Sequence, residues 1–353
     1  MIRMINRSDR KSDHLHLAIN QYDTQNILED IKLLHNCLPE CNYDEINLST
    51  SLCGLNFNNP IMINAITGGT QEAYQLNKKI ASVAREVNIP MAVGSQKIAL
   101  EDQNYQDTFE VVRRENPRGV IFANIGAYAT PQMAQQICEM IKADGLQIHL
   151  NIPQELAMGE GDRSFQGYAN NIAKIIDYVD IPVIVKEVGF GVKKEEISKL
   201  MDIGVKAVDI SGCGGTNFIN LENSRLEQPN LPSAKDWGID TGSSLLEAVE
   251  SSYHNLDIIA SGGFSRSIEI TKALALGARC VALAGYPLHI LWHYGQDELI
   301  SQLEQLLTEL RSMMLMCGAT SISQLCQTPL LITGKLREHA DLRGIDVKKY
   351  ARR

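Results

Sequence analysis

Asp257 to Gly285 reads DIIASGGFSRSIEITKALALGARCVALAG. Asp257–Ser261 is a short apolar run bounded by glycine, the pattern of a strand buried on both faces. Gly262 and Gly263 follow, where the backbone can bend tightly and let another group approach. Ser265 can cap a helix in which Ile270, Ala273 and Leu274 share one face, and Gly277 can close it. Cys280–Ala284 is a second buried strand, ended by Gly285. Two parallel strands with glycine ends, beside a helix N-terminus, form a cradle of backbone N–H groups for a phosphate. The same glycines could serve only as tight turns; two glycine-ended strands in this order favour the cradle.

Working outward, further buried runs occur at Ile61–Asn64, Met91–Gly94, Val120–Asn124, Leu146–Leu150, Val183–Val188 and Ala207–Ile210. Helical spacing separates them, as at Glu72–Glu86, Pro131–Ala143, Gly167–Tyr178, Lys193–Met201 and Ser243–Ser252. Eight buried strands alternating with helices predict a closed parallel (β/α)8 barrel, the TIM barrel, over residues 61–285. A doubly wound open sheet is the alternative. Residues 1–60 read as a polar arm and an irregular lead-in that closes over the site. Residues 286–353 read as a helical extension of the same domain, with Leu299 to Leu315 amphipathic. The stretch from Gly212 to Ile239, rich in Asn, Gly and Pro, reads as a long loop over the barrel mouth.

The chain has 353 residues, of which 44% are hydrophobic and 21% charged, enough for a sizeable core. Its net charge of −9 argues against nucleic acid as a partner. No apolar run is long enough for a membrane span, and the polar start has no signal-peptide core. Eight scattered cysteines suit reduced thiols, so a cytoplasmic location is expected. The spacing of His35, Cys37 and Cys41 matches no standard metal pattern.

Barrel active sites gather at the C-terminal strand ends. In order these ends read Ala65-Ile66-Thr67-Gly68-Gly69, Gly94-Ser95-Gln96, Asn124-Ile125-Gly126, His149 to Glu155, Lys186-Glu187 and Ser211 to Thr216. Small polar side chains and glycines let a flat ring lie against backbone. Thr67, Ser95 and Asn124 can bond its edges, and Lys186 can set a cation beside an electron-rich ring. That pattern suits FMN, with its phosphate in the cradle. Lys186 could instead form a Schiff base or a structural ion pair. His149 and Asn151, two apart on a strand, share a face and can converge on an anion. Gln154 and Glu155 follow a proline turn nearby, and one carboxylate beside a diphosphate suits Mg2+. Singly, a strand-end histidine and a solvated glutamate are ordinary structural residues; the group of four is what points to a site.

Taken together, Arg10-Lys11-Ser12-Asp13-His14, Thr67-Gly68-Gly69, Gly94-Ser95-Gln96, His149-Leu150-Asn151 with Gln154-Glu155, Lys186-Glu187, Gly214-Gly215-Thr216 and Ser261-Gly262-Gly263 resemble the motifs of type 2 isopentenyl-diphosphate isomerases. These are FMN-dependent barrel enzymes of isoprenoid synthesis, and the resemblance runs over nearly the whole chain. Two positions depart from it. Ile66 stands in place of the family's methionine and Phe218 in place of its tryptophan; both exchanges bear on flavin packing. The resemblance implies FMN held by Ala65, Ile66, Thr67, Ser95, Asn124, Lys186, Ser211, Thr216, Gly262, Gly263, Ala284 and Gly285. It implies substrate diphosphate held by Arg10, Lys11, His149 and Asn151, Gln154 against the hydrocarbon, and Mg2+ on Glu155. NADPH as the reductant and a homo-oligomer, tetramer or octamer, are further implications.

The implied reaction adds a proton at one carbon of isopentenyl diphosphate and removes one at another, giving dimethylallyl diphosphate. Gln154 exchanges no proton usefully near neutral pH, Glu155 is assigned to metal and His149 to phosphate. The reduced flavin is then the expected acid and base. No dinucleotide fingerprint occurs, since Gly189-Phe190-Gly191 lacks the third glycine. The alternatives are an FMN-dependent oxidoreductase of the same barrel type, an enzyme using Cys213 as nucleophile in the manner of inosine-monophosphate dehydrogenases, and a flavin- or phosphate-binding barrel without catalysis.

Overall fold

The structure, a computed structural model, describes residues 15–20, 26–252 and 255–353. Eight strands close a barrel in chain order: β1 Ile61–Ile63, β2 Met91–Ala92, β3 Ile121–Gly126, β4 Gly145–Leu150, β5 Val183–Glu187, β6 Ala207–Asp209, β7 Asp257–Ala260 and β8 Cys280–Leu283. Every neighbouring pair is parallel, and β8 closes on β1 through Val281 opposite Ile61. The closed sheet settles the choice between barrel and open sheet. Each predicted strand is present, with its ends moved by at most two residues.

Helices wrap the outside: α1 Gln71–Val87, α2 Asp107–Glu115, α3 Pro131–Ile141, α4 Tyr168–Tyr178, α5 Lys194–Asp202, α6 Thr241–Ser252, α7 Ser267–Leu276 and α8 Gln296–Met316. Their apolar faces and the outward strand residues form one continuous layer. A second cluster fills the barrel. Met62, Ala92, Phe122, Ile184, Ala207, Ile259 and Ala282 turn inward there. One step of strand periodicity further on, two residues along, the inward positions become Asn64, Gly94, Asn124, Lys186, Asp209, Ser261 and Ala284. The barrel therefore carries an apolar floor with a polar layer directly above it.

Several local expectations need correction. The lead-in over 22–60 is not irregular throughout. Thr50–Leu52 and Leu55–Phe57 form a hairpin whose Leu52 and Phe57 plug the bottom of the barrel. Its turn takes Cys53 and Gly54 to positive φ, 48° and 82°, and the Cys53 N–H donates to Asp257 Oδ2 (2.7 Å). Ile31–Leu33 pairs antiparallel with Leu330–Ile332, so the helical extension also contains a strand. Runs of three residues are too short to register as periodic patterns. The long loop from Gly212 to Ile239 contains a helix, Phe218–Arg225. Ser265 does not cap α7. Arg266 holds the N-cap position, and the Glu269 carboxylate takes the N–H groups of Ser265 and Arg266, both at 3.2 Å. Gly277 does close the helix, at φ 137°.

Helix α2, not singled out in the sequence, supports the first strand end. Phe109 is wholly buried, and a Cβ on Gly68 would lie 2.0 Å from its ring. The glycine lets the ring pack against the loop after β1. Phe109→Ala is expected to lower unfolding free energy by about 3–5 kcal/mol, read from urea unfolding of the purified protein.

Candidate active site

The strand ends open into a cavity of about 330 Å³. Among the described residues, every one that the resemblance assigned to a site lines it: Ala65, Ile66, Thr67, Ser95, Asn124, His149, Asn151, Gln154, Glu155, Lys186, Ser211, Thr216, Gly262, Gly263, Ala284 and Gly285. Arg10 and Lys11 lie outside the described residues. Leu15 and Ala18, from the helix over 15–20, also face the cavity.

One end of the cavity is nearly all backbone. The turns after β6 and β7 meet there: a Cβ on Gly262 would lie 2.2 Å from Gly212 O, and one on Gly263 would lie 2.0 Å from Gly214 O. Both glycines have positive φ, 106° and 99°. The Thr241 hydroxyl donates to Gly262 O (2.6 Å) and fixes one of these turns. The glycines are thus required by the mutual approach of two loops, and the open backbone is the result. The helix that directs its N-terminus at this end is Gly285–Tyr294, not α7; Gly285 and Tyr286 line the cavity, whereas no residue of α7 does. A phosphate fits this donor set: backbone N–H groups, a ten-residue helix N-terminus and no carboxylate among them.

The opposite wall is made of side chains. His149 stands beside Gly126 of β3 and Lys186 of β5 in the sheet register. Its Nδ1 is 2.7 Å from Asn124 Oδ1. Asn151 Nδ2 donates to Glu155 Oε1 (2.9 Å) and Gln154 Oε1 (3.3 Å), and Glu155 Oε2 accepts the Asp162 N–H (2.8 Å). Asn151 therefore steadies Glu155, a role that its spacing from His149 alone did not indicate. Lys186 is buried and donates to Glu187 O (2.8 Å). It is not the only cation in the wall. Lys97 lines the cavity with its Nζ 4.0 Å from the Tyr128 ring centroid. Lys97 and Tyr128 were missed in the sequence; the signal was Lys97 directly after Gly94-Ser95-Gln96 at a strand end. The loop after Glu155 also brings Glu160 and Asp162 to the rim.

Cys213 does not have the setting of a nucleophile. Its thiol donates to Gly189 O (3.3 Å) and Trp237 O (3.4 Å). Burial, with the negative charges of Glu187 and Asp240, pushes it up to about 11. Glu187 closes the turn after β5 by accepting the N–H groups of Val188 (2.6 Å), Gly189 (2.9 Å) and Phe190 (2.7 Å) on one oxygen.

Residues 107–332 match the FMN-dependent dehydrogenase family. Among curated relatives, the isopentenyl-diphosphate delta-isomerase of Symbiobacterium thermophilum is 42% identical over 98% of this chain and 98% of its own. That of Bacillus pumilus is 43% identical over 98% of this chain and 97% of its own. Among solved structures, a lactate oxidase of Pediococcus acidilactici superposes with a TM-score of 0.67 at 16% identity, covering 92% of this chain and 94% of that one. This last likeness is one of fold.

Glu187 also yields a test of the β5 turn. Its burial raises the carboxyl from 4.5 to about 7, against the opposing pull of the three N–H groups and Lys186. The folded value lies above the unfolded one, so its contribution to stability is complete below pH 4.5 and fades as pH rises through about 7. Urea unfolding of wild type and Glu187→Gln should therefore diverge. From about pH 4.5 to about pH 8, wild type should lose on the order of 3 kcal/mol relative to the variant. Parallel pH profiles would show that Glu187 does not titrate in this range.

Proposed function

This chain belongs to the FMN-dependent isopentenyl-diphosphate delta-isomerases and interconverts isopentenyl and dimethylallyl diphosphate; we propose that the strand-end cavity is where it does so, with the roles below. The observation that carries this reading is convergence: motifs scattered from Ala65 to Gly285 line one cavity.

Backbone at Gly262, Gly263, Ala284 and Gly285 takes the FMN phosphate. Ala65, Ile66, Thr67, Ser95, Asn124, Ser211 and Thr216, which line the same cavity, would hold the ring. Lys186 places a positive charge in the same wall, where burial strengthens its field. Reduced FMN, when bound there, supplies the acid–base chemistry and the negative charge that an alkene needs on its way through a cationic transition state. NADPH serves as the reductant.

The diphosphate lies at the mouth, between His149 and Asn151. Glu155 holds Mg2+, which allows two anions, the carboxylate and the diphosphate, to sit beside one asparagine amide. Arg10 and Lys11 add charge from the arm, and the contact of Leu15 and Ala18 with the cavity supports its closing there. Gln154 faces the hydrocarbon. Closure excludes water from a reaction whose intermediate charge water would trap. Among the described residues no helix is long and apolar enough to cross a membrane. A cytoplasmic homo-oligomer, tetramer or octamer, fits the family.

The deciding experiment is anaerobic. With isopentenyl diphosphate, Mg2+ and NADPH far below the substrate concentration, many molecules of dimethylallyl diphosphate should form per NADPH consumed. One NADPH per product would replace the isomerase with an FMN oxidoreductase. Glu155→Gln should then raise the Mg2+ concentration for half-maximal rate by about tenfold or more, equivalent to roughly 1.4 kcal/mol. An unmoved Mg2+ requirement would take the metal away from Glu155.

A further inference from the structure

Three buried amides stand in line across the barrel and end on His149. Asp209 accepts the Ser261 hydroxyl at one oxygen and Asn64 Nδ2 (2.7 Å) at the other. Asn64 Oδ1 accepts the Ala65 backbone N–H (2.9 Å) and Gln147 Nε2 (3.1 Å). Gln147 Oε1 accepts from Asn124 Nδ2 (3.3 Å), and Asn124 Oδ1 meets His149 Nδ1 at 2.7 Å. Ser261, Asp209, Asn64, Gln147 and Asn124 are each less than 5% exposed.

The direction of this line is forced at its start. A backbone N–H only donates, so the Asn64 atom that meets Ala65 is the carbonyl oxygen, and its amide nitrogen faces the acceptor Asp209. Each amide has one donor end and one acceptor end, so each assignment fixes the next. Reversing any one of them would set two donors or two acceptors face to face in a buried layer. Asn124 therefore presents oxygen to His149, and a ring nitrogen facing an acceptor must carry hydrogen.

We propose that Asn64, Gln147 and Asn124 are positioning residues, a one-way relay that starts at Asp209 and Ala65 N–H and places the proton of neutral His149 on Nδ1. The proposal rests on the reading of His149 as a ligand of the substrate diphosphate. In the neutral ring so fixed, Nε2 is an acceptor. A hydrogen bond between Nε2 and a phosphate oxygen then requires one more proton between them, brought by the ring or by the phosphate. The opposite tautomer would donate without it. The relay thus decides which protonation state of the enzyme–substrate pair forms this contact.

The test reads the tautomer itself. Two-bond nitrogen–proton correlation spectra of FMN-loaded, substrate-free protein with isotope-labelled histidine report which ring nitrogen is protonated, at a pH about two units above the usual imidazole value. His149→Gln identifies the signal. Wild type should show the Nδ1–H form. Gln147→Leu, which breaks the relay, should show a mixture. Gln147→Glu should restore the pure form, since a carboxylate there still accepts from Asn124 Nδ2 and so keeps Asn124 Oδ1 turned to the ring. An Nε2–H form in wild type, or an unchanged pattern in Gln147→Leu, overturns the relay; should the leucine variant fail to fold, the wild-type spectrum decides. Steady-state kinetics separate the two readings. Gln147→Leu should raise KM about tenfold with kcat little changed, and Gln147→Glu should reverse this. The expected spectra with an unmoved KM would leave the relay standing and remove His149 from the diphosphate.

Discussion

The polar layer through Ser261, Asp209, Asn64, Gln147 and Asn124 is the constraint on which the upper half of the barrel depends. Each of these side chains would cost about 1–3 kcal/mol if left buried without a partner. They come from β3, β4 and the segments at the ends of β1, β6 and β7, so they can be satisfied together only when all these strands close in one register. The apolar floor supplies most of the driving force but little selectivity, because Met62, Ile184 and Ile259 would pack in many arrangements. The layer above it admits one. That division, burial for free energy and hydrogen bonds for uniqueness, sets His149, Lys186 and Asn124 on a fixed platform rather than on loops.

The glycine-rich end of the cavity follows a different rule. Gly212, Gly214, Gly262 and Gly263 approach one another so closely that a methyl group on any of them would strike neighbouring backbone or the Thr241 side chain. Interlocked turns cannot move independently, so their N–H groups hold their direction without a ligand present. A preorganised anion site of this kind spends little of its binding energy on ordering the protein. It is also indifferent to the reaction carried out beside it.

Most of this was legible in the sequence, for definite reasons. Strands buried on both faces leave continuous apolar runs, and glycines mark their ends, so Asp257–Ser261 and Cys280–Ala284 announced both the barrel and the glycine-rich end of its cavity. The side-chain wall showed because His149, Asn151, Gln154 and Glu155 are concentrated in seven consecutive residues. What escaped was set by tertiary contact. The hairpin around Cys53 is made of three-residue strands that only the barrel bottom stabilises. The α7 cap fell to Arg266 because Glu269 reaches back to the N–H groups there, a contact that overrides the local preference for Ser265. The relay escaped for the opposite reason: its pattern is regular. In β1, β3 and β6 the residue two places beyond an inward apolar one is Asn64, Asn124 or Asp209, but separate strands do not reveal which amide meets which.

The likeness to a solved structure at 16% identity is one of barrel fold alone, so the chemistry has to be argued from the side chains that face the cavity. The glycine-rich end beside β6 and β7 presents mainly backbone to the cavity, with few side chains to specialise. Reaction type must then be written where side chains face the cavity, on β1 to β5. In this chain that wall offers amides, one histidine, two lysines, the carboxylate of Glu155 held by Asn151, and those of Glu160 and Asp162 at the rim. Cys213, the remaining candidate nucleophile, is held as a thiol. A wall of this composition binds and orients anions well and exchanges protons poorly. It is better suited to holding an anionic substrate still than to moving protons through its own side chains.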